Sequence, residues 1–276
     1  APFFTAKESN WVISIESPQT PVNRPVACDP PAPDLYHRPM TTLETRWIEL
    51  RERMDRACRE AGRSPESLQL LAVSKTRSAG EIRALHALGQ FRFGENYVQE
   101  FTSKHQVLSV LPLEPPIEWH FIGALQSNKT RMVAERAHWV HSLDRLKLAE
   151  RLSAQRPAAM PPLQICLQVD LSHEPGKAGI PEADLEALAD AVAGLPRLRL
   201  RGLMALPAPA RDPVEQRRPF ARLRQLRDTL NQRGHDLDTL SMGMSDDLEA
   251  AILEGATLVR IGTALFGPRS HGEAPA

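Results

Sequence analysis

Short apolar runs alternate with amphipathic patterns along most of the chain. Most of the apolar runs lack strict alternation of apolar and polar residues, as expected for strands that are buried on both faces. Between them, apolar residues recur every three to four positions, which indicates helices. The predicted strands are 69–73, 91–93, 119–122, 139–141, 163–169, 198–204, 239–242 and 258–261. The predicted helices include 43–61, 78–88, 128–134, 146–155, 181–193, 214–233 and 246–254.

This order of elements predicts an α/β fold. Strands that alternate with helices pair in parallel through right-handed crossovers. Eight such units in about 230 residues match the size of a single (β/α)8 TIM barrel. A doubly wound open sheet is the alternative, since it is built from the same repeating unit.

The first 39 residues differ from the rest. Seven prolines lie between Pro18 and Pro39, a density that blocks both helices and sheet ladders. We therefore expect residues 1–39 to be a disordered extension, residues 40–270 to form the barrel, and residues 271–276 to be a disordered tail. Met40 is the first methionine and a candidate start of translation, because a helix capped by Thr41 or Thr42 follows it directly.

Composition excludes several classes of function. The chain carries 34 basic and 34 acidic residues, a balance that does not favour a nucleic-acid or membrane-surface partner. Cys28, Cys58 and Cys166 form no closely spaced pair, so neither a disulfide framework nor a zinc knuckle is indicated. No apolar run reaches the roughly 18 residues of a transmembrane helix. We expect a protein of the reducing cytoplasm.

The ends of three predicted strands carry candidate chemistry. Lys75 follows the first strand, and a lysine there can form a Schiff base with an aldehyde. Residues 241–245 and the pair Gly262-Thr263 end the last two strands, where the loops of barrels favour phosphate. Their hydroxyl and backbone N–H groups can cradle that anion. An aldehyde and a phosphate on one molecule suggest pyridoxal 5′-phosphate (PLP).

Two of these segments also have simpler structural explanations. Ser245 can cap a helix that has Asp246 and Asp247 in its first turn. Arg260 shares a strand face with Gly262, so it is predicted to point inward. Its partner is then either a carboxylate inside the barrel or a nitrogen or phosphate of a ligand.

His138 and His141 were considered as metal ligands. The two residues have i,i+3 spacing, but they fall in a predicted strand and would face opposite sides. Because no third ligand accompanies them, we expect no metal site here.

Seven segments match one known family in order. They are LAVSKT (71–76), FGENYVQE (93–100), WHFIG (119–123), LQSNK (125–129), RGLMA (201–205), SMGMSDD (241–247) and VRIGTALFG (259–267). On these motifs, residues 40–269 resemble the pyridoxal phosphate homeostasis protein family. The resemblance implies a barrel like the N-terminal domain of bacterial alanine racemase. It also implies PLP held as an internal aldimine on Lys75.

The resemblance also implies the other cofactor-binding residues. Ser241, Ser245, Gly262 and Thr263 match the phosphate-holding segments, and Arg260 matches the residue that faces the pyridine nitrogen. Asn96 matches a pocket segment after the second strand. Met204 and Gly243, in two further matching motifs, complete the predicted set.

The family is regarded as non-enzymatic, binding PLP and keeping vitamin B6 pools in balance. The resemblance therefore implies a PLP buffer or carrier, with transient contacts to apo PLP-dependent enzymes. A PLP-dependent racemase is the alternative, and a Schiff-base aldolase without PLP is a third. Against a racemase, an arginine facing the pyridine nitrogen weakens the electron sink. Tyr36 and Tyr97 are not obvious second bases, and only nine residues follow Gly267, too few for a second domain.

Removal of residues 1–39 is expected to leave folding and PLP binding unchanged, because the seven prolines prevent this stretch from adding a regular element to the core. Thermal unfolding and PLP titration of a chain that begins at Met40, compared with the full chain, measure this. A large loss of stability or of cofactor would show that the extension packs on the barrel.

Overall fold

A computed structural model of the chain describes residues 40–172 and 178–268. The predicted extension at residues 1–39 and the predicted tail at 271–276 lie outside the described residues. Every statement of structure below refers to the described ranges.

Eight parallel strands close into a barrel in the order of the sequence. Strand β8 pairs with β1 and completes the ring, with Leu71 opposite Arg260. The strands are β1 (Gln69–Val73), β2 (Arg92–Glu95), β3 (Glu118–Phe121), β4 (Trp139–Leu143), β5 (Leu163–Gln168), β6 (Leu198–Met204), β7 (Thr239–Ser241) and β8 (Leu258–Ile261). The predicted (β/α)8 barrel is confirmed, and the doubly wound open sheet is wrong.

Helices precede β1 and follow the strands. They are α1 (Thr42–Glu60), α2 (Ala79–His86), α3 (Val98–Leu108), α4 (Thr130–Ala134), α5 (Leu146–Gln155), α6 (Leu185–Ala193), α7 (Pro213–Gln232), α8 (Leu248–Leu253) and α9 (Thr263–Phe266). Short 3-10 turns occupy Pro65–Ser67, Ser127–Lys129 and Glu182–Asp184. No helix of the described ranges has both the length and the apolar character needed to cross a bilayer.

The start of α1 confirms the predicted cap. The Thr41 hydroxyl accepts a hydrogen bond from the backbone N–H of Glu44, and the Glu44 carboxylate accepts the N–H of Thr41 in return. This reciprocal pair satisfies two of the N–H groups that a helix leaves open at its first turn.

Helix α3 did not appear among the predicted helices. Its buried face comprises Val98, Phe101, Lys104 and Leu108. A buried lysine interrupts the apolar stripe, so the helical period is masked in the sequence. The burial of Lys104 indicates that polar groups beneath α3 pair with its charge.

The strands separate two interiors. Residues that face outward, such as Val140, Ile165 and Leu203, belong to the large apolar core between barrel and helices. Residues at alternating positions face the inside of the barrel, where Trp139, Cys166 and Met204 form a separate small cluster. The rest of this inner space holds buried polar side chains, including His120, His141 and Arg260. Such groups must be hydrogen-bonded to be tolerated there.

Candidate functional site

Closure of the barrel gathers the predicted site residues on one rim. The carboxyl ends of β6, β7, β8, β1 and β2 are neighbours in the ring. At these ends lie Met204, Ser241, Gly243, Ser245, Arg260, Gly262, Thr263, Lys75 and Asn96. In (β/α)8 barrels this is the face that carries binding and catalytic groups.

Lys75 lies two residues after β1 and is partly buried. The backbone of Gly262, at the end of neighbouring β8, packs closely against the end of β1. A Cβ on Gly262 would lie 3.3 Å from the carbonyl oxygen of Val73, which is tighter than ordinary contact. The structure thus brings the Lys75 turn and the Gly262-Thr263 segment together.

The turn that carries Lys75 is strained. Thr76 has a φ of 63°. This left-handed conformation is a real outlier for a β-branched residue, and such residues persist only where their surroundings hold them. Here the Glu100 carboxylate accepts the Thr76 N–H at 2.7 Å.

A buried lysine on α3 holds the other side of the same turn. Lys104 Nζ donates to the carbonyl of Ser74 at 2.7 Å, and to the carboxylates of Glu95 and Glu100 at 2.9 Å each. The Ser74 hydroxyl also donates to Glu95, at 2.6 Å. Burial raises the pKa of Glu95, against the opposing effect of the Lys104 charge and the Ser74 hydrogen bond. Together these contacts fix the backbone on both sides of Lys75.

Arg260 lies inside the barrel, as predicted. Its Nη1 donates to the carbonyl and hydroxyl oxygens of Ser241 at 2.5 and 2.8 Å, and its Nη2 donates to the carbonyl of Ala205 at 2.9 Å. Of the two predicted partners, a carboxylate is not what the described residues provide, since these acceptors are carbonyl and hydroxyl groups. Burial lowers the pKa of Arg260 to about 10, although Asp247 and Cys166 oppose this, so the guanidinium stays charged at neutral pH.

The segments after β7 and β8 are joined at the rim. The Ser245 hydroxyl accepts a hydrogen bond from the backbone N–H of Ala264 at 3.3 Å. Gly262 directly precedes α9, and Thr263 is the first residue of that short helix. The two segments predicted to hold a phosphate therefore form one surface, with hydroxyl and backbone N–H groups in it.

The prediction that Ser245 caps the following helix was wrong. Helix α8 begins at Leu248 with Asp247 as its preceding residue. The Asp247 carboxylate accepts the N–H of Met244 at 2.5 Å, which stabilises an additional turn before the helix. Gly243 has a φ of 95°, and a Cβ there would lie 2.6 Å from that of Ala251. Glycine is thus required to turn the chain between β7 and α8.

The Asn96 side chain has a hydrogen-bond acceptor that no described residue uses. Its Oδ1 is buried and has no hydrogen-bond partner among the described residues. It borders a cavity of about 440 Å³ between the loops that follow β2 and β3. Gly123 allows the close approach that places Asn96, since a Cβ on Gly123 would lie 1.9 Å from the Asn96 carbonyl oxygen. An unpaired buried acceptor is costly and is often a ligand contact.

Met204 and Ser241 lie deeper than the other predicted residues. Met204 is buried against Trp139 and Cys166. The Ser241 hydroxyl is also buried, between Arg260 and His141, with Nδ1 of His141 at 2.8 Å. Ser241 thus contacts the Arg260 side chain, which lies inside the barrel below the rim.

Several residues of the site were missed from the sequence. Lys104, Glu95 and Glu100 were not singled out, and His141 was considered only as a metal ligand. Within the described ranges, no group of three or more His, Cys, Asp or Glu side chains could hold a metal ion. One signal in the sequence could have indicated polar side chains inside the barrel. Glu118 and His120 are polar residues at alternate positions of an otherwise apolar strand.

The donor set at the rim suits a particular kind of ligand. It contains one lysine amine on a fixed turn, a joined surface of hydroxyl and N–H groups, a buried cation and an unsatisfied amide. An amine and an anion-binding surface fit a small phosphorylated aldehyde. The buried cation can donate to a polar atom of such a ligand, and the unpaired amide oxygen can accept from one.

Comparisons with known proteins agree with this fit. The sequence profile described as alanine racemase, N-terminal domain, matches residues 49–270. The chain is 56% identical over 237 residues to a pyridoxal phosphate homeostasis protein of Pseudomonas aeruginosa, covering 86% of this chain and 100% of that one. It is 50% identical over 234 residues to the protein of the same name from Escherichia coli, covering 85% and 100% of the two chains.

Solved structures share the barrel. PipY of Synechococcus elongatus, solved with PLP bound, superposes with a TM-score of 0.72 at 39% identity, covering 82% of this chain and 100% of PipY. Alanine racemase from Corynebacterium glutamicum superposes with a TM-score of 0.60 at 16% identity, covering 82% of this chain and 63% of the racemase. At that identity the racemase shows likeness of fold alone.

Replacement of Lys104 by methionine is expected to lower the free energy of unfolding by about 3–5 kcal/mol, because it leaves the buried Glu95 carboxylate without its cation. Chemical denaturation measures the change. The double variant Glu95→Gln/Lys104→Met should recover most of the loss, and Lys147→Met, at an exposed lysine, is the control. A loss below about 1 kcal/mol for Lys104→Met would mean that the cluster does not hold the Lys75 turn.

Proposed function

Because the chain belongs to the pyridoxal phosphate homeostasis protein family, we propose that it binds PLP and serves intracellular PLP homeostasis. One observation carries the proposal: Lys75 stands on a fixed turn at the end of β1, directly beside the closely packed Gly262-Thr263 segment. The turn that bears the amine and the segment that bears the proposed anion surface thus lie at neighbouring strand ends of one rim.

Different rim residues bind different parts of the cofactor. Lys75 would supply the amine that reacts with the aldehyde group of bound PLP. Ser245, Gly262 and Thr263 bind the phosphate through the Ser245 hydroxyl and the backbone N–H groups at the start of α9. The unsatisfied Asn96 Oδ1 would accept a hydrogen bond from a hydroxyl group of the cofactor.

Arg260 faces the ring nitrogen in this proposal. Nη1 donates twice to Ser241 and Nη2 donates once to Ala205, which leaves the Nε–H and one Nη2–H as donors toward the ligand. Ser241 then acts through Arg260 rather than on the phosphate, because its hydroxyl is occupied inside the barrel. Gly243 shapes the turn after β7, and Met204 would contribute apolar packing at the end of β6 below the bound cofactor.

We further propose that the protein is a buffer or carrier of PLP and not an enzyme. Arg260 keeps its charge at neutral pH, since even its lowered pKa is about 10. A charged arginine at the ring nitrogen leaves that nitrogen unprotonated, and an unprotonated ring is a weak electron sink. The relatives from Pseudomonas aeruginosa and Escherichia coli are named homeostasis proteins, which supports the same conclusion.

Three narrower proposals accompany this function. Apo PLP-dependent enzymes are the recipients of the cofactor, through transient contact with the rim. The protein works in the cytoplasm, which the free buried thiols of Cys58 and Cys166 support. Residues 40–270 form the PLP-binding unit and suffice for binding.

The purified protein is expected to be yellow or to become yellow with PLP, through a near-visible absorption band. Borohydride, which reduces a C=N bond to a stable amine, should fix the cofactor on Lys75, as peptide mass mapping would show. Lys75→Ala should abolish the band, whereas Lys129→Ala, at another lysine of the same rim, should keep it. A protein that stays colourless with excess PLP would refute PLP binding.

Efficient turnover of amino acids is not expected. A PLP enzyme would show kcat of order 1–10³ s⁻¹ on its substrate. Common amino acids can be screened for racemisation, decarboxylation and transamination with the PLP-loaded protein, and transfer to an apo-enzyme can be followed by the recovery of that enzyme's activity. Turnover in the enzyme range, abolished by Lys75→Ala, would overturn the carrier proposal and favour the racemase alternative.

A further inference from the structure

A continuous chain of hydrogen bonds crosses the inside of the barrel beneath the rim. It begins at Arg260, whose Nη1 donates to the Ser241 hydroxyl at 2.8 Å. Ser241 Oγ lies 2.8 Å from His141 Nδ1, and His141 Nε2 lies 2.9 Å from His120 Nδ1. His120 Nε2 lies 2.8 Å from Glu118 Oε1. The chain thus joins β8, β7, β4 and β3.

The two ends of the chain carry opposite charges. Arg260 is buried at 4% exposure, and His120, His141 and Ser241 are completely buried. Glu118 begins β3, at the end of the barrel opposite the rim, and its side chain is 30% exposed. A cation near the rim is therefore connected through three neutral groups to a carboxylate that reaches solvent at the other end.

With both histidine rings neutral and Glu118 ionised, only one arrangement of protons satisfies every link. An ionised Glu118 is an acceptor, so His120 carries its proton on Nε2 and accepts at Nδ1. His141 must then donate from Nε2 and accept at Nδ1. The Ser241 hydroxyl, which already accepts from Arg260, donates its proton to His141. In the opposite direction a bare nitrogen of His120 would face the Glu118 carboxylate, and two acceptors would meet.

The electrostatics agree with this direction. Burial lowers the pKa of His120, and burial together with the charge of Arg260 holds the pKa of His141 well below its usual value. Both rings are therefore neutral at neutral pH. Burial raises the pKa of Glu118, but the hydrogen bond from His120 and the charge of Arg92 outweigh it, so that the net pKa is lowered and the carboxylate is ionised.

The geometry of the rings also fixes the chain in place. His120 stacks on Trp139 with centroids 5.5 Å apart and an interplanar angle of 5°. The ring centroids of His141 and His120 lie 5.1 Å apart, and the two ring planes are tilted by 53°, which lets a nitrogen of one ring point to the other ring. The rings therefore cannot turn without losing both their packing and their hydrogen bonds.

We propose that Glu118, His120, His141 and Ser241 are positioning residues for Arg260, and that their one-directional hydrogen-bond chain sets the orientation in which its guanidinium meets the ligand. The proposal rests on the proposed function in one respect, namely that Arg260 faces the ring nitrogen of PLP. A buried arginine without a carboxylate in contact is costly, and neutral groups that are all polarised in one direction offset part of that cost. The chain also explains why the Ser241 hydroxyl has no proton left for a phosphate.

The proton arrangement can be tested on the unmutated full-length chain without added PLP. Nitrogen NMR of the histidine-labelled protein at neutral pH is expected to show His120 and His141 as neutral rings with hydrogen on Nε2 and bare Nδ1. Loss of a signal in His120→Phe or His141→Phe assigns it. A hydrogen on Nδ1 of either ring, or on both nitrogens, would overturn the proposal whether or not the protein binds PLP.

Variants test the effect on the ligand. Ser241→Ala and His141→Phe are each expected to weaken PLP binding about tenfold, as for the loss of one hydrogen bond to a charged group. His141→Gln, which keeps an amide donor and acceptor, should lose less. The control is His86→Gln, at a buried histidine of α2 that contacts the Pro115 carbonyl instead, and it should bind within about twofold of the unmutated protein.

A spectroscopic signature separates positioning from general loss of stability. The nitrogen NMR shift of the ring of bound ¹⁵N-labelled PLP should change in Ser241→Ala and stay constant in His86→Gln. Unchanged affinity and an unchanged ring-nitrogen shift in Ser241→Ala and His141→Phe would overturn the proposal. If these variants do not fold, the proton positions in the unmutated chain decide. A folded, unmutated protein that does not bind PLP at all would instead refute the proposed function.

Discussion

Closure of the barrel between β8 and β1 is the constraint on which the site depends. The pairing sets Leu71 opposite Arg260 and brings the end of β8 against the turn that carries Lys75. No local segment contains both an amine and an anion surface, because the two come from opposite ends of the sequence. Only the closed ring makes them neighbours. The rim therefore keeps its geometry only while the hydrogen-bonded pairing of β8 with β1 is intact.

Two sets of buried charge then hold the rim from outside and inside the barrel. Outside, Lys104 of α3 pairs with Glu95 and fixes the backbone on both sides of Lys75. Inside, Arg260 occupies a space that most barrels fill with apolar side chains. Buried charges of this kind contribute little net stability, but their hydrogen bonds fix the orientation of the groups that they contact.

Much of this structure could be predicted from the sequence, for physical reasons. Strands buried on both faces appear as short apolar runs, so all eight were located to within a few residues. Lys75 and the Gly262-Thr263 pair stand out because they interrupt such runs at the rim. The inward direction of Arg260 follows from two-residue alternation along β8. A lysine at one strand end and a phosphate cradle at two others already suggested PLP, and the likeness to a known family added the roles of Arg260, Asn96, Met204 and Gly243.

The remaining features could not be predicted because they depend on contacts between distant elements. Lys104 looks like a surface lysine until β1 and β2 bring Ser74 and Glu95 beneath α3. His120 and His141 meet only because β3 and β4 place them at matching depth inside the barrel. Ser245 has the chemistry of a helix cap, but its hydroxyl accepts the N–H of Ala264 from the distant segment after β8, and α8 begins only at Leu248.

The central claim is that one rim, formed by the ends of β7, β8, β1 and β2, holds PLP. A crystal structure of the full chain with PLP tests it most directly. We expect a covalent bond from Lys75 Nζ to the cofactor, the phosphate against Ser245 and the Gly262-Thr263 segment, and the Nε–H or the remaining Nη2–H of Arg260 facing the ring nitrogen. Cofactor bound through another lysine, or a phosphate away from α9, would contradict the account.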